Sequence, residues 1–359
     1  MRGAANSAEQ VPAHPSGARH RSAALTAGVL AVVAAVLAGC TSTGSAPGPV
    51  PSGAGPLRAQ LVEGATGPGA MTHASALEQI ADRNGGNRAS PGPGYDASVD
   101  YVAGVLRNAG FDVTTPTFRF RSRGEQSLIR NVVAQTRTGS PDRVVLAGAH
   151  LDSVEEGPGI NDNASGVGTL LEIATRMGGS PQVTNAVRFA FWGAEEEDLV
   201  GSTEYVEGLS EQDRAAIALY LNLDMLASPN AAYFVQGGAS GRGSRSGPPG
   251  SAAVGRVLME EMAATGITAE LYPFEGDSDF APFVEAGIPS GGVLAGDAGT
   301  KTPEQAQAWG GQAGQVYDVC YHSACDRVDN LDQTALDNFT NAIAGTIARF
   351  ATSTEVPAR

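Results

Sequence analysis

The stretch RVVLAGAHLDS, residues 143–153, decides the fold. After Arg143 it stays apolar for six residues, with no alternation to mark a wet face. That pattern reads as a strand buried on both sides, the kind found in parallel sheets covered by helices. The strand runs straight into His150, Leu151 and Asp152. In open α/β sheets, functional groups collect beyond the carboxyl ends of strands. That edge is therefore where chemistry is expected.

Similar strands lie outward from it. VRFAFW (187–192) runs into Gly193-Ala194-Glu195-Glu196-Glu197, and AIALYLNL (216–223) runs into Asp224. FDVTTPTFRF (111–120), LIRNVVAQT (128–136), AAYFVQ (231–236) and TAELY (268–272) supply further strands. Helical spacing links Met71, Ala74, Leu77 and Ile80, and again Val99, Val102, Leu106 and Ala109. ASGVGTLLEIATRM (164–177) and AAVGRVLMEEMAA (252–264) also read as helices. DFAPFVEAG follows Ser278, an expected N-cap. Leu336, Phe339, Ile343, Ile347 and Phe350 form one apolar stripe, which is core. The fold class is α/β: a single globular domain with a central mixed, mostly parallel sheet flanked by helices. It is expected over residues 71–352, with 353–359 as a tail.

The N-terminal region reads differently. Arg19 and Arg21 precede an uncharged apolar run, Ala23–Leu37, too short for a comfortable membrane span. It ends in Leu37-Ala38-Gly39-Cys40, which resembles the lipobox of bacterial lipoproteins. Residues 1–40 are thus expected to be a lipoprotein signal peptide with Cys40 acylated; plain secretion is the alternative. Residues 41–70, rich in Gly, Pro and Ser, read as a flexible tether. Both readings put the domain outside the cytoplasm, as a membrane lipoprotein facing outward or a secreted protein. A net charge of −15 and a pI near 4.7 argue against nucleic acid as a partner.

Only three cysteines are present. With Cys40 lipidated, Cys320 and Cys325 remain as a pair in an oxidising compartment, which favours a disulfide. Between them, in CYHSAC, stand Tyr321 and His322. A metal reading of this hexapeptide stays open, because His322 still needs a role. GPGINDNASG (157–166) adds Asp162 ahead of a helix, where a simple capping role is the alternative. Gathering so many carboxylates is electrostatically costly unless cations neutralise them. Histidines among them give the mixed N/O donor set that zinc accepts.

Five stretches, GAHLDS (148–153), GPGINDNASG (157–166), FWGAEEEDLVGS (191–202), LNLDMLASPN (221–230) and CYHSACD (320–326), stand in the order of a known family. They resemble the bacterial secreted dizinc aminopeptidases of peptidase family M28, of the Streptomyces leucine-aminopeptidase type. The resemblance implies a zinc-peptidase-like (phosphorylase/hydrolase-like) fold and two Zn²⁺ per chain. His150 and Asp224 would hold one zinc, Glu196 and His322 the other, with Asp162 bridging. Two zinc ions against three carboxylates leave a positive charge that favours hydroxide at neutral pH. Glu195 would be the general base, and Tyr321 would steady the oxyanion. Asp152 would orient the His150 imidazole, and the Asp162–Asn163 peptide bond would be cis.

The same resemblance assigns the substrate's α-amine to Glu195, Asp224 and a backbone carbonyl at Asp277. It assigns the side-chain pocket to Met225 and Leu294. The implied activity is removal of N-terminal residues, large apolar ones preferred, from peptides with a free N-terminus, by a monomer. The family's GRSDH segment reads GDSDF here (276–280), so Asp277 and Phe280 depart from the pattern. Some relatives carry a structural Ca²⁺, whose position this sequence does not mark. The rival on the same fold is a glutaminyl cyclase-like acyltransferase with one zinc; the third reading is a non-catalytic binding module.

Overall fold

The computed structural model describes residues 55–358, apart from 123–124 and 239–245. The signal segment, Cys40 and the first part of the tether lie outside the described residues. Within 41–70, the stretch expected to be tether, the described residues are mostly helical. Residues Pro56–Gly64 form helix α1, and Gly67–Arg83 form α2. Pro56 pre-sets the first turn of α1. Leu57 and Leu61, one turn apart, are buried with Ala65 in the main core. Composition disguised an amphipathic turn as linker.

Helix α3 (Pro93–Asn108) leads to β1 (Asp112–Thr114), β2 (Thr117–Ser122), β3 (Glu125–Arg130) and β4 (Val132–Gln135). The long strands read at 111–120 and 128–136 are each broken in two. Pro116 separates β1 from β2, and β2 pairs only with β3 as a separate antiparallel hairpin. Next come β5 (Ser140–His150), an irregular turn Ile160–Ala164, and α4 (Ser165–Met177). Strand β6 (Asn185–Trp192) is followed by α5 (Val200–Glu207), α6 (Glu211–Ala216) and β7 (Ile217–Leu223). The remainder is β8 (Phe234–Gln236), α7 (Ser251–Ala264), β9 (Glu270–Leu271), α8 (Phe280–Glu285), β10 (Ser290–Leu294), α9 (Pro303–Trp309) and α10 (Gln333–Thr352). Helices α5, α6 and α9 and strand β10 had no counterpart in the sequence reading.

The main sheet has the order β1-β4-β6-β5-β7-β10-β8-β9. Its centre, β6-β5-β7-β10, is parallel. Antiparallel pairs flank that centre on both sides, with β8 and β9 parallel at the far edge. The sheet is mixed, as expected, and buried on both faces. Along β5, Val145, Ala147 and Ala149 enter one apolar cluster, while Val144 and Leu146 enter the other. The larger cluster takes the apolar stripes of α2, α3, α4, α7 and α10. The smaller is aromatic, with Tyr220 stacked on Phe283 at 3.8 Å between ring centroids. Gly148 must be glycine here. A Cβ would fall 2.6 Å from the Trp192 indole nitrogen and 2.7 Å from the Tyr220 hydroxyl. Among the described residues, no helix is long and apolar enough to cross a membrane.

Candidate metal centre

Parallel neighbours end in step, so β5, β6 and β7 deliver their last residues to one edge. His150 is the final residue of β5 and lies in register with Trp192 of β6. Glu195 and Glu196 follow β6, and Asp224 follows β7. Asp162 comes from the turn before α4, where its peptide bond to Asn163 is cis. His322 comes from the loop closed by a Cys320–Cys325 disulfide with Cα atoms 5.2 Å apart.

These side chains meet. His150 Nε2 lies 2.9 Å from Asp162 Oδ1 and 3.4 Å from Asp224 Oδ1. His322 Nε2 lies 3.2 Å from Asp162 Oδ2 and 3.0 Å from Glu196 Oε2. One carboxylate therefore offers its two oxygens to two imidazoles. The donor atoms of His150, Asp162 and Asp224 fall within 4.8 Å of one another, as do those of Asp162, Glu196 and His322. The two triplets share Asp162. Glu196 Oε1, Asp224 Oδ1 and His150 Nδ1 are buried without a hydrogen-bond partner. Orphaned acceptors in so acidic a cluster are costly unless cations lie between them. Two nitrogens and three carboxylates are a donor set that fits zinc.

The electrostatics agree. Burial raises the Asp162 carboxyl, but the bonds from His150 and His322 outweigh it and hold it below the usual range. Bonds to Asp162 and Glu196 push His322 up to about 10. Burial drives Glu195 well above an ordinary glutamate; Asp279, Asp224 and Glu196 add to this and His150 opposes it. Burial pushes Glu196 up to about 7. The surrounding protein thus disfavours this much negative charge, and bound cations would reverse that.

The supporting residues were only partly anticipated. Asp152 is fully buried, but its Oδ1 lies 3.8 Å from His150 Nδ1, beyond hydrogen-bond reach. Instead it accepts the backbone N–H groups of Glu195 (3.2 Å) and Glu196 (3.4 Å), fixing the turn after β6. Asn163 donates to the Leu223 carbonyl (2.8 Å) and accepts from Met225 N–H (3.4 Å), tying the Asp162 turn to the end of β7. Ser278 is not the cap of α8, whose N-cap is Asp279. Its hydroxyl donates to Asp224 Oδ2 at 2.6 Å and accepts from Asn222 Nδ2 at 2.9 Å.

Two further residues escaped the sequence reading. Asp326 accepts the N–H groups of Asn161 (2.7 Å) and Asp162 (3.0 Å), binding the histidine loop to the bridging turn. Arg88, fully buried, donates to the carbonyls of Leu151, Pro158 (3.0 Å) and Gly159 (2.5 Å). It clamps the segment between His150 and Asp162. An aspartate closing the CYHSACD stretch was visible, whereas nothing near Arg88 in sequence marks it.

A cavity of 520 Å³ opens beside the cluster. Met225, Asp277 and Leu294 all line it, with Glu195, Phe280 and Tyr321. Tyr321 stacks on the His322 ring at 3.9 Å. Every residue expected to act at this site is therefore at or beside it.

A buried mixed sheet carrying imidazoles and carboxylates at its carboxyl edge, beside an open cavity, is the architecture of a metal-dependent hydrolase. The Peptidase family M28 profile matches residues 131–347. "Probable lipoprotein aminopeptidase LpqL" of Mycobacterium tuberculosis is 35% identical, over 86% of this chain and 90% of that protein. "Leupeptin-inactivating enzyme 1" of Streptomyces exfoliatus is 44% identical over 79% of this chain, which spans 62% of that protein. A zinc aminopeptidase structure from Bacillus subtilis superposes with a TM-score of 0.65 at 17% identity, covering 81% of this chain and 97% of that one. The chain belongs to peptidase family M28, and it is an enzyme.

Proposed function

We propose that the protein is an exported dizinc aminopeptidase that releases N-terminal residues, large apolar ones preferred, from peptides. The observation carrying this reading is Asp162, with one oxygen 2.9 Å from His150 and the other 3.2 Å from His322. A carboxylate so shared suits a pair of cations. His150 and Asp224 would hold one zinc, Glu196 and His322 the second, and Asp162 both. Two zinc ions bound there supply Lewis acidity for activating water and polarising the scissile carbonyl.

The chain's own residues do the rest. Glu195, next in sequence to Glu196, takes a proton as general base and returns it to the leaving amine. Tyr321, stacked on His322 and lining the cavity, steadies the oxyanion through its hydroxyl. Burial raises the Tyr321 phenol. Glu195, Asp224 and the Asp277 carbonyl receive the α-amine, while Met225 and Leu294 line the side-chain pocket. The disulfide loop keeps His322 and Tyr321 together. We assign residues 1–40 to a lipoprotein signal, with Cys40 as anchor, and expect a monomer.

Purified residues 41–359 should contain about two zinc ions, four donors or fewer being typical of each zinc. Leucine p-nitroanilide should be cleaved, lost on chelation and restored by zinc. One zinc with pyroglutamate formation from N-terminal glutamine would instead support the cyclase reading. Absence of any turnover would support a binding module.

A further inference from the structure

A second cavity, of 350 Å³, shares Glu196 with the first. Glu196 forms a wall of both. Asp152, Glu155, Glu156 and Glu197 also line it, and among the described residues no lysine or arginine does. Ser90 lines it as well; its side chain is only 5% exposed, and its hydroxyl has no hydrogen-bond partner. A buried hydroxyl left unpaired beside these acids is satisfied by a polar group from outside the protein, to which it can donate or from which it can accept.

The spacing says what kind. Among the described residues, the groups of donors close enough to grip a bare ion use His150, Asp162, Glu195, Glu196, Asp224 and His322. None uses Glu155, Glu156 or Glu197. A group that reached several of these separated acids at once would be larger than a bare ion and carry several N–H donors, as an ammonium or guanidinium does. Position fixes its source. A peptide with its N-terminal side chain against Met225 and Leu294 presents its first carbonyl to the central cluster. Its next residues would then run on past the cluster, where Glu196 belongs to both cavities.

We propose that this acidic cavity is a leaving-group subsite for a lysine or arginine at the second or third position of the substrate. The proposal rests on the aminopeptidase reading and adds to it the class of peptide preferred. Exposed Glu156 and Glu197 set the charge, and the buried Ser90 hydroxyl adds a polar group to the lining.

The test compares kcat/KM for Leu-Lys-Ala, Leu-Ala-Lys, Leu-Ala-Ala and Leu-Glu-Ala with the zinc-loaded enzyme. One or both lysine peptides should exceed Leu-Ala-Ala by roughly three- to tenfold, the scale of partly exposed charge pairs. Leu-Glu-Ala should be the poorest. The preference should fade between low salt and about 1 M salt, where screening is nearly complete. Glu156→Gln combined with Glu197→Gln should bring the lysine-to-alanine ratio close to one and leave leucine p-nitroanilide turnover unchanged. Equal rates for all four peptides with the unmodified enzyme would overturn the subsite. So would a lysine preference that survives both high salt and the double substitution. Loss of that preference on adding millimolar calcium at constant ionic strength would give the cavity to a metal ion instead. If neither leucine p-nitroanilide nor any peptide is cleaved, the aminopeptidase reading fails first and takes the subsite with it.

Discussion

His150 and His322 approach the same carboxylate from opposite kinds of support. His150 ends the central strand β5, between two parallel neighbours, and its side chain is 1% exposed. His322 sits on an irregular loop, with a left-handed φ of 52° and a side chain 40% exposed. The first is held by the same packing that holds the sheet. The second depends on local devices: a disulfide, the Tyr321 ring, and Asp326 gripping the turn of its partner. Site and fold are thus coupled at one histidine and separable at the other.

Removing each imidazole should expose that asymmetry, with the largest effects expected of any substitution. His150→Ala and His322→Ala should both lower turnover roughly a thousandfold or more, the scale of several kcal/mol of metal stabilisation. Only His150→Ala should also cost about 2 kcal/mol or more of stability, through a cavity at the sheet's edge. Thermal unfolding of the two variants without metal checks this. Equal losses in Tm would break the comparison.

Next in size is Glu195→Gln. It is one residue from a zinc donor, yet the reading gives it a proton to carry and the α-amine to receive, and no zinc to hold. Turnover should fall by about 10²–10⁴ while zinc content stays at the wild-type value by elemental analysis. Wild-type turnover would remove Glu195 from the reaction, and lost zinc would recast it as a ligand.

The same asymmetry explains what the sequence disclosed. His150, Glu196 and Asp224 end strands whose apolar runs are read directly, and parallel strands align their ends without further information. Their convergence was legible from RVVLAGAHLDS, VRFAFW and AIALYLNL. Nothing periodic marks His322, so its partnership rested on family resemblance. Strand β10 was overlooked because its Ser-Gly-Gly start lacks strand propensity. At Gly292 an added Cβ would fall 2.5 Å from Gln236 Oε1, so that side chain would have to shift. The tether was overextended because three core residues, Leu57, Leu61 and Ala65, sit among linker-like neighbours. Arg88 acts on carbonyls more than sixty residues away in sequence, a relation only the fold creates. Ser278 looked like a cap because serine caps helices, but Asp224 claims its hydroxyl.

That hydroxyl gives a smaller test on the sheet-supported side. Ser278→Ala removes a 2.6 Å bond to Asp224 without touching any zinc donor. Zinc affinity should weaken about 10–100-fold, as for other lost partners of a metal-binding side chain. Competition with a chelator should show this at the site of His150 and Asp224, with the other site unchanged. Equal weakening of both would mean that the shared Asp162 transmits every disturbance, and that the two supports are not independent.

The smallest effect should come from the disulfide. Its loop spans a sequence separation of only 5. Closing so short a loop removes less chain entropy than the ~3 kcal/mol expected for fifteen residues. Cys320→Ser with Cys325→Ser should therefore lower Tm only slightly. Asp318 still accepts the residue-320 N–H at 2.8 Å, and Asp326 still pins the bridging turn, so the loop keeps part of its shape. The cost should instead fall on placement of His322 and Tyr321. A loss of about tenfold in turnover, with the second zinc weakened more than the first, is the expected result, since small misplacements at a reacting centre are costly. A variant that unfolds readily yet works at full rate while folded would reverse the assignment. The loop would then belong with the sheet as structure, and His322 would need no local support.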